Sequence, residues 1–171
     1  MIRNSISYSI WLLPPPELFD SLQIMIKRLC KKYNSPLFIP HITLISGFLG
    51  DPKEILKKFK KTQLPMSEIS VEFDSIITTN EFFKSVFFQI TLSDSFIKAR
   101  TFLNPIFTCN EKCYQPHLSM IYGRFTKIEK KNIINEIGSV PINFKVNEFF
   151  LAYNNEIDLY WNLIWSKKIN E

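Results

Sequence analysis

The sequence predicts an α+β fold of two pseudo-symmetric lobes, each an antiparallel sheet with outer helices, and a cleft between them. Three observations carry that expectation. The phrase PHITLISG at residues 40–47 returns as PHLSMIYG at residues 116–123, with Pro, His, a hydroxyl, Ile and Gly at matching places. These two copies hold both histidines of the 171-residue chain and two of its four glycines. Around each copy one order of elements recurs, helix, histidine strand, helix and two strands, and no Gly- or Ser-rich linker divides the halves. Two copies at so long a spacing point to a duplicated α+β unit rather than to a short-period repeat.

Each element has its own local reason. Residues 5–13 alternate β-branched and aromatic side chains and read as a strand, which Pro14, Pro15 and Pro16 break. Over 17–33, Leu18, Leu22, Met25, Ile26, Leu29 and Tyr33 fall on one helical face. Residues 37–48 form a second strand containing the first histidine phrase. Asp51, Pro52 and Glu54 supply an N-cap, a first-turn proline and a first-turn acid for a helix running to Lys61. The stretches 69–79 and 82–92 read as a hairpin around Asn80 and Glu81. Residues 94–107 look helical, with Pro105 expected to end or kink the helix. After the second histidine strand, Thr126 and Glu129 form a capping box for a helix that stops at Gly138. Residues 142–153 and 157–167 complete a second hairpin across Asn154, Asn155 and Glu156. The whole chain, 1–171, reads as a single bilobal domain.

Composition narrows the function class. Hydrophobic content of 46% and aromatic content of 15% are those of a folded globular protein. No run approaches the roughly 20 apolar residues of a membrane span, so no membrane partner is expected. The N-terminus alternates and ends in prolines, which reads as a strand and not as a signal peptide. Of Cys30, Cys109 and Cys113, at least one stays unpaired, which fits a reducing, cytoplasmic setting. The spacing CNEKC lacks the companions of a zinc site, and no metal or other cofactor is expected. The net charge of +5 favours an anionic partner, but only weakly. Most lysines read as solvated helix faces. The abundance of Ile, Lys, Asn and Phe beside two alanines matches AT-rich coding, which accounts for part of the basicity.

The histidines carry the chemistry. Residues two apart on a strand share a face, so His41 points with Thr43 and His117 with Ser119, while Ile42 and Leu118 face a core. Two pseudo-symmetric strands would bring both pairs to one small volume. Two imidazoles and two hydroxyls suit a phosphate group. One neutral ring takes a proton from the attacking oxygen, one imidazolium gives a proton to the leaving oxygen, and the hydroxyls hold the other oxygens. A lone histidine would read as a hydrogen-bonded residue near a strand end. Both histidines of a chain in matching phrases read as a catalytic pair.

At these residues the chain resembles the two-histidine (2H) phosphoesterases, and among them the cyclic phosphodiesterase-like group. Pro40-His41-Ile42-Thr43-Leu44 matches the first motif; Pro116-His117-Leu118-Ser119 with Tyr122-Gly123 matches the second. Tyr8 to Trp11 followed by prolines resembles the group's opening strand, Phe82 to Phe87 its middle strand, and Trp161 a late-strand tryptophan. Two departures stand out. Lys84 occupies a place where Gln is the more familiar residue, and the segment 109–115 is shorter than in plant members.

The resemblance implies His41 and His117 as general acid and base, with Thr43 and Ser119 binding phosphate oxygens. It sets Tyr122 beside the phosphate, although strand parity allows equally that Tyr122 packs in the core. Phe83 for a base, Trp11 for the cleft wall and Lys84 for a second phosphate are further substrate-binding candidates, each also readable as ordinary packing or a solvated charge. The implied activity is metal-independent hydrolysis of a nucleotide phosphodiester involving a 2′-oxygen. The first substrate choice is a nucleoside 2′,3′-cyclic phosphate or ADP-ribose cyclic phosphate. The alternative is a 2′-5′-linked or cyclic oligonucleotide messenger, such as 2′-5′ oligoadenylate or cyclic GMP-AMP. A third reading is an RNA-binding module with a degenerate site. The partner is then a small nucleotide or short oligonucleotide, bound by a monomer.

Overall fold

One eight-stranded antiparallel sheet organises the chain, with strand order β6-β3-β4-β5-β2-β1-β7-β8. A computed structural model describes residues 6–108, 114–138, 143–154 and 161–170. Cys109, Cys113 and the turn at Asn155 and Glu156 lie outside the described residues. Strand β1 (Ser7–Leu12) leads through the prolines into α1 (Pro16–Tyr33), whose first helical residue is the last proline of the three. Strand β2 (Ile42–Leu49) and α2 (Pro52–Lys61) follow. The Asp51 carboxylate accepts from the Lys53 and Glu54 amides, the cap that the sequence implies. Strands β3 (Ile69–Thr78) and β4 (Val86–Thr91) form the first hairpin, and α3 (Asp94–Phe107) precedes β5 (His117–Ile121). Helix α4 (Lys127–Ile137) opens on the complete Thr126/Glu129 capping box. The chain closes with β6 (Asn143–Val146), β7 (Glu148–Asn154) and β8 (Asn162–Lys168).

Four expectations need correction. The expected strand over 37–48 begins only at Ile42, because β1 offers it a partner no earlier than the Leu12–Ile42 pair. Phe82–Lys84 is a 3-10 turn and not strand. There the Thr79 hydroxyl accepts from the Glu81 amide and donates to the Lys84 carbonyl, closing a loop that a strand could not make. Helix α3 passes Pro105 and continues to Phe107. Its last turn loses one hydrogen bond at most, and the Thr108 amide still closes it on Asn104. The expected strand over 142–153 is two strands, since the chain leaves the β3 edge at Val146 and pairs with β1 from Phe150.

The sheet order is a palindrome of roles. From the centre outward, β5 mirrors β2, β4 mirrors β1, β3 mirrors β7 and β6 mirrors β8. Each sequence half sends its last two strands across: β4, carrying β3, pairs with β5, and β7, carrying β8, pairs with β1. The two four-stranded halves meet at one registered pair, Ile42 with Leu118. Ile42, Leu44, Leu118 and Met120 are buried, with α1 against β5, α3 against β2 and α4 against β4. The opposite face carries the histidines. No helix among the described residues is long and apolar enough to cross a membrane.

Candidate active site

The histidine face begins with backbone. Nδ1 of His41 lies 2.7 Å from the Ile39 carbonyl, and Nδ1 of His117 lies 2.8 Å from the Gln115 carbonyl. A carbonyl only accepts, so each Nδ1 carries the hydrogen, and Nε2 is the nitrogen left for chemistry. In both cases the acceptor lies two residues upstream, across a proline. The matched phrases therefore encode matched tautomers.

The shared glycines are also backbone devices. Gly47 and Gly123 both take positive φ, +68° and +142°, where a side chain is strained. At Gly123 an added Cβ would in addition fall 2.6 Å from the Phe125 ring. The shared isoleucines, Ile45 and Ile121, are fully buried. Every matching position of the two phrases thus has a physical task.

His41, Thr43, His117, Lys84, Phe83, Trp11 and Tyr122 line one cleft of ≈ 330 Å³. Ser119 is buried beside it, its hydroxyl donating 3.1 Å to the Phe83 carbonyl. Volume alone does not mark the site, since a cavity of ≈ 400 Å³ under the proline turn contains neither histidine. Trp11 is buried and stacks on His41 at 3.7 Å, so His41 covers one face of its ring. Burial pulls the His41 pKa down to about 4; the Ile39 carbonyl opposes this, and the charge of His117 adds to it. Both imidazoles line the same cleft. Tyr122 follows the end of β5, so strand parity does not govern it. Its ring stacks on Phe38 at 3.8 Å and meets Phe83 edge-on. Burial pushes its phenol well above the usual tyrosine range, against a smaller opposing effect of a hydrogen bond with Ser119. Phe83 is 54% exposed at the rim, an aromatic face open to solvent.

Two matched histidine pairs around one cleft agree with the family comparison, in which the model of the cyclic phosphodiesterase-like proteins matches residues 6–148. The chain belongs to the cyclic phosphodiesterase-like family. This two-histidine phosphodiesterase is 29% identical over 157 residues to a cyclic phosphodiesterase of Arabidopsis thaliana, covering 88% of this chain and 87% of that one. Its fold is that of protein TT0787 of Thermus thermophilus (TM-score 0.60, 12% identity, 96% and 99% of the chains covered). It is likewise that of LigT of E. coli complexed with 3′-AMP (TM-score 0.57, 11% identity, 98% of each chain). Membership in a hydrolase family leaves the degenerate RNA-binding module without support.

Several residues in and behind the cleft of this cyclic phosphodiesterase-like protein escape the sequence argument. Ser46 lines the cleft from the seventh place of the first phrase, the place that Tyr122 holds in the second, a correspondence the alignment of the phrases already contains. Phe87 pairs with Ser119 as Trp11 pairs with Thr43, and its ring stands edge-on to His117 at 5.1 Å. Glu81 puts a carboxylate in the cleft lining, opposite in charge to Lys84. The Tyr114 hydroxyl donates 2.6 Å to the Thr43 carbonyl, while Arg100 donates 2.7 Å to the Leu44 carbonyl and stacks on Tyr114. No local pattern announces such long-range backbone contacts.

Beyond His41 lies a second compartment of ≈ 370 Å³, walled by Trp11, His41, Tyr122 and Trp161 in common with the cleft, and by Gln23, Lys27 and Phe38. A shallower depression then continues over α1, between Lys27, Lys31 and Leu37.

Proposed function

We propose that this protein hydrolyses a nucleotide phosphodiester involving a 2′-oxygen, with a nucleoside 2′,3′-cyclic phosphate or ADP-ribose cyclic phosphate as substrate and no metal ion. The observation that carries the reading is the pair of imidazoles with identical Nδ1 anchors, both lining one small cleft with Thr43 and Ser119 beside them. The cyclic phosphate rests its non-bridging oxygens on the Thr43 and Ser119 hydroxyls, and Ser119 turns its proton from the Phe83 carbonyl to do so. His41, neutral through burial, takes a proton from water as the water oxygen attacks phosphorus. His117, as imidazolium, gives a proton to the ribose oxygen whose bond to phosphorus breaks. One P–O bond forms and one breaks, and proton exchange with solvent resets the pair.

The name of the Arabidopsis thaliana relative, a cyclic phosphodiesterase, supports the cyclic substrate. A 2′-5′-linked or cyclic oligonucleotide is the second reading, and the compartment beyond His41 favours it. The test is a panel of nucleoside cyclic phosphates, ADP-ribose cyclic phosphate, 2′-5′ oligoadenylates and cyclic dinucleotides, with products identified by mass and excess EDTA throughout. Turnover of a cyclic phosphate in EDTA is the expected result. Loss in EDTA restored by a divalent ion would refute the mechanism, and turnover confined to oligonucleotides would replace the substrate.

A further inference from the structure

We infer that Glu81 and Lys84 read the base of the substrate and select guanine. The inference rests on the phosphodiesterase reading and deepens it by naming the nucleoside that the cleft prefers. A cleft of ≈ 330 Å³ sits at the small end of ligand pockets, which span about 300–1,000 Å³, so it suits a single nucleotide. With the reacting phosphate between the histidines, the base lies against the wall that Glu81, Phe83 and Lys84 supply. Phe83 offers it an exposed aromatic face.

The turn that carries these side chains is pinned at every carbonyl. The Glu81 carbonyl accepts from the Lys84 amide at 3.3 Å, and that of Phe82 from the Gly123 amide at 2.8 Å. The Phe83 carbonyl accepts from the Ser119 hydroxyl at 3.1 Å. Those of Lys84 and Ser85 are taken by the hydroxyl and the amide of Thr79, at 2.5 Å and 3.1 Å. From α4, the buried Lys130 ammonium donates 2.9 Å to the side-chain oxygen of Asn80. A backbone held in this way presents its side chains at fixed positions, which is what reading the edge of a ligand requires.

Glu81 keeps an extended backbone ahead of the 3-10 turn, and Lys84 ends that turn. Both side chains line the cleft, yet they make no ion pair with each other or with any other described residue. An ionised carboxylate only accepts, through two oxygens, and an ammonium only donates. Among the four RNA bases, guanine alone presents the complement of that set on one edge. Its O6 accepts, and beside it N1–H and the 2-amino group donate. Adenine sets a single donor next to the bare acceptor N1, which would face a carboxylate oxygen. Cytosine has the same defect at N3, and the one N–H of uracil lies between two carbonyls. Lys84 therefore takes O6 and Glu81 the two donors, which gives Lys84 a base edge in place of a second phosphate.

The experiment measures kcat/KM for the 2′,3′-cyclic phosphates of guanosine, inosine and adenosine. Inosine keeps O6 and N1–H but lacks the 2-amino group. The wild type should favour guanosine over adenosine about tenfold, the worth of one good charged hydrogen bond, with inosine between them. Glu81→Gln exchanges one acceptor oxygen for a donor, the pair that matches adenine, so it should bring the guanosine-to-adenosine ratio to one or below. Lys84→Met should lower the values for guanosine and inosine alike and spare adenosine. The charge control, Glu72→Gln on β3 outside the cleft, should leave the ratio alone. A wild-type ratio near one, or a guanosine preference that Glu81→Gln leaves intact, overturns the inference. Calorimetry with GMP and AMP decides it independently of turnover: equal affinities also overturn it, and tighter GMP binding that Glu81→Gln abolishes supports it. Should no cyclic phosphate be hydrolysed, the phosphodiesterase reading of these histidines fails while the binding result still decides the base.

Discussion

His41 and His117 hold the same nitrogen against the same kind of carbonyl, but His41 also lies flat on buried Trp11. Its pKa of about 4 against an ordinary 6.5 links the site to stability. Between those values the unfolded chain binds a proton at His41 and the folded chain does not. Stability is therefore full above pH 6.5 and falls as pH drops toward 4, by at most about 3.5 kcal/mol at about 1.4 kcal/mol per unit. Urea midpoints at pH 7 and pH 4.5 should drop more for wild type than for His41→Gln, which cannot take the proton. Equal drops would mean that His41 titrates normally. Turnover tests the same residues from the other side. His41→Ala and His117→Ala should each lose about 10²- to 10⁴-fold in kcat, as expected for a missing general acid or base. Thr43→Ala and Ser119→Ala should retain more. A histidine variant that kept over about a tenth of the wild-type rate would remove that residue from the catalytic pair.

The strands that carry these residues part company just where the site lies. After Ile42 pairs with Leu118, β2 and β5 have no further registered pair, which leaves β2 carbonyls without strand partners. Tyr114 takes the Thr43 carbonyl and Arg100 the Leu44 carbonyl, so two side chains replace the missing ladder. Tyr114→Phe should cost about 1 kcal/mol of stability, the net worth of one hydrogen bond. It should also lower kcat/KM about fivefold, because Thr43 loses its brace, with the rate for Ser119→Ala falling further on the same background. A stability loss with unchanged kcat/KM would restrict Tyr114 to folding. This fork shows which parts of the molecule a sequence can reveal. The Asp51 and Thr126 caps are local, written within four residues, and both are present. The histidine phrases were legible because a duplicated site repeats its own constraints. Phe82–Lys84 was illegible as a 3-10 turn because its aromatic composition is strand-like. Its conformation depends instead on Thr79 and on the Gly123 amide, which donates to the Phe82 carbonyl. The break at Asn147 was illegible for the same kind of reason, since alternation persists while the pairing partner changes from β3 to β1.

At the scale of the whole molecule, neither sequence half owns a half-sheet. The half that contains β5 and His117 takes β3 and β4 from earlier in the chain, and the half that contains β2 and His41 takes β7 and β8 from its end. A chain cut between β4 and α3 leaves β2 without β5 and β1 without β7, exposing long apolar edges on both fragments. Neither fragment should fold alone, and the intact protein should unfold in one transition, with tryptophan fluorescence and far-UV circular dichroism superimposing. Two separated transitions would show that the half-sheets are independent. The cleft spans the same junction, with His41 contributed from one half-sheet and His117 from the other. An anion held between them binds only when both halves are assembled, so it adds its binding free energy to the whole fold. Inorganic phosphate at about 100 times its dissociation constant should therefore stabilise the wild type by about 2.7 kcal/mol against urea, in a single shifted transition. The shift should shrink in His41→Ala and in His117→Ala alike, because each variant removes one side of the grip. A phosphate shift that survived both substitutions would put the anion elsewhere and break the link between the fold's exchanged strands and its site.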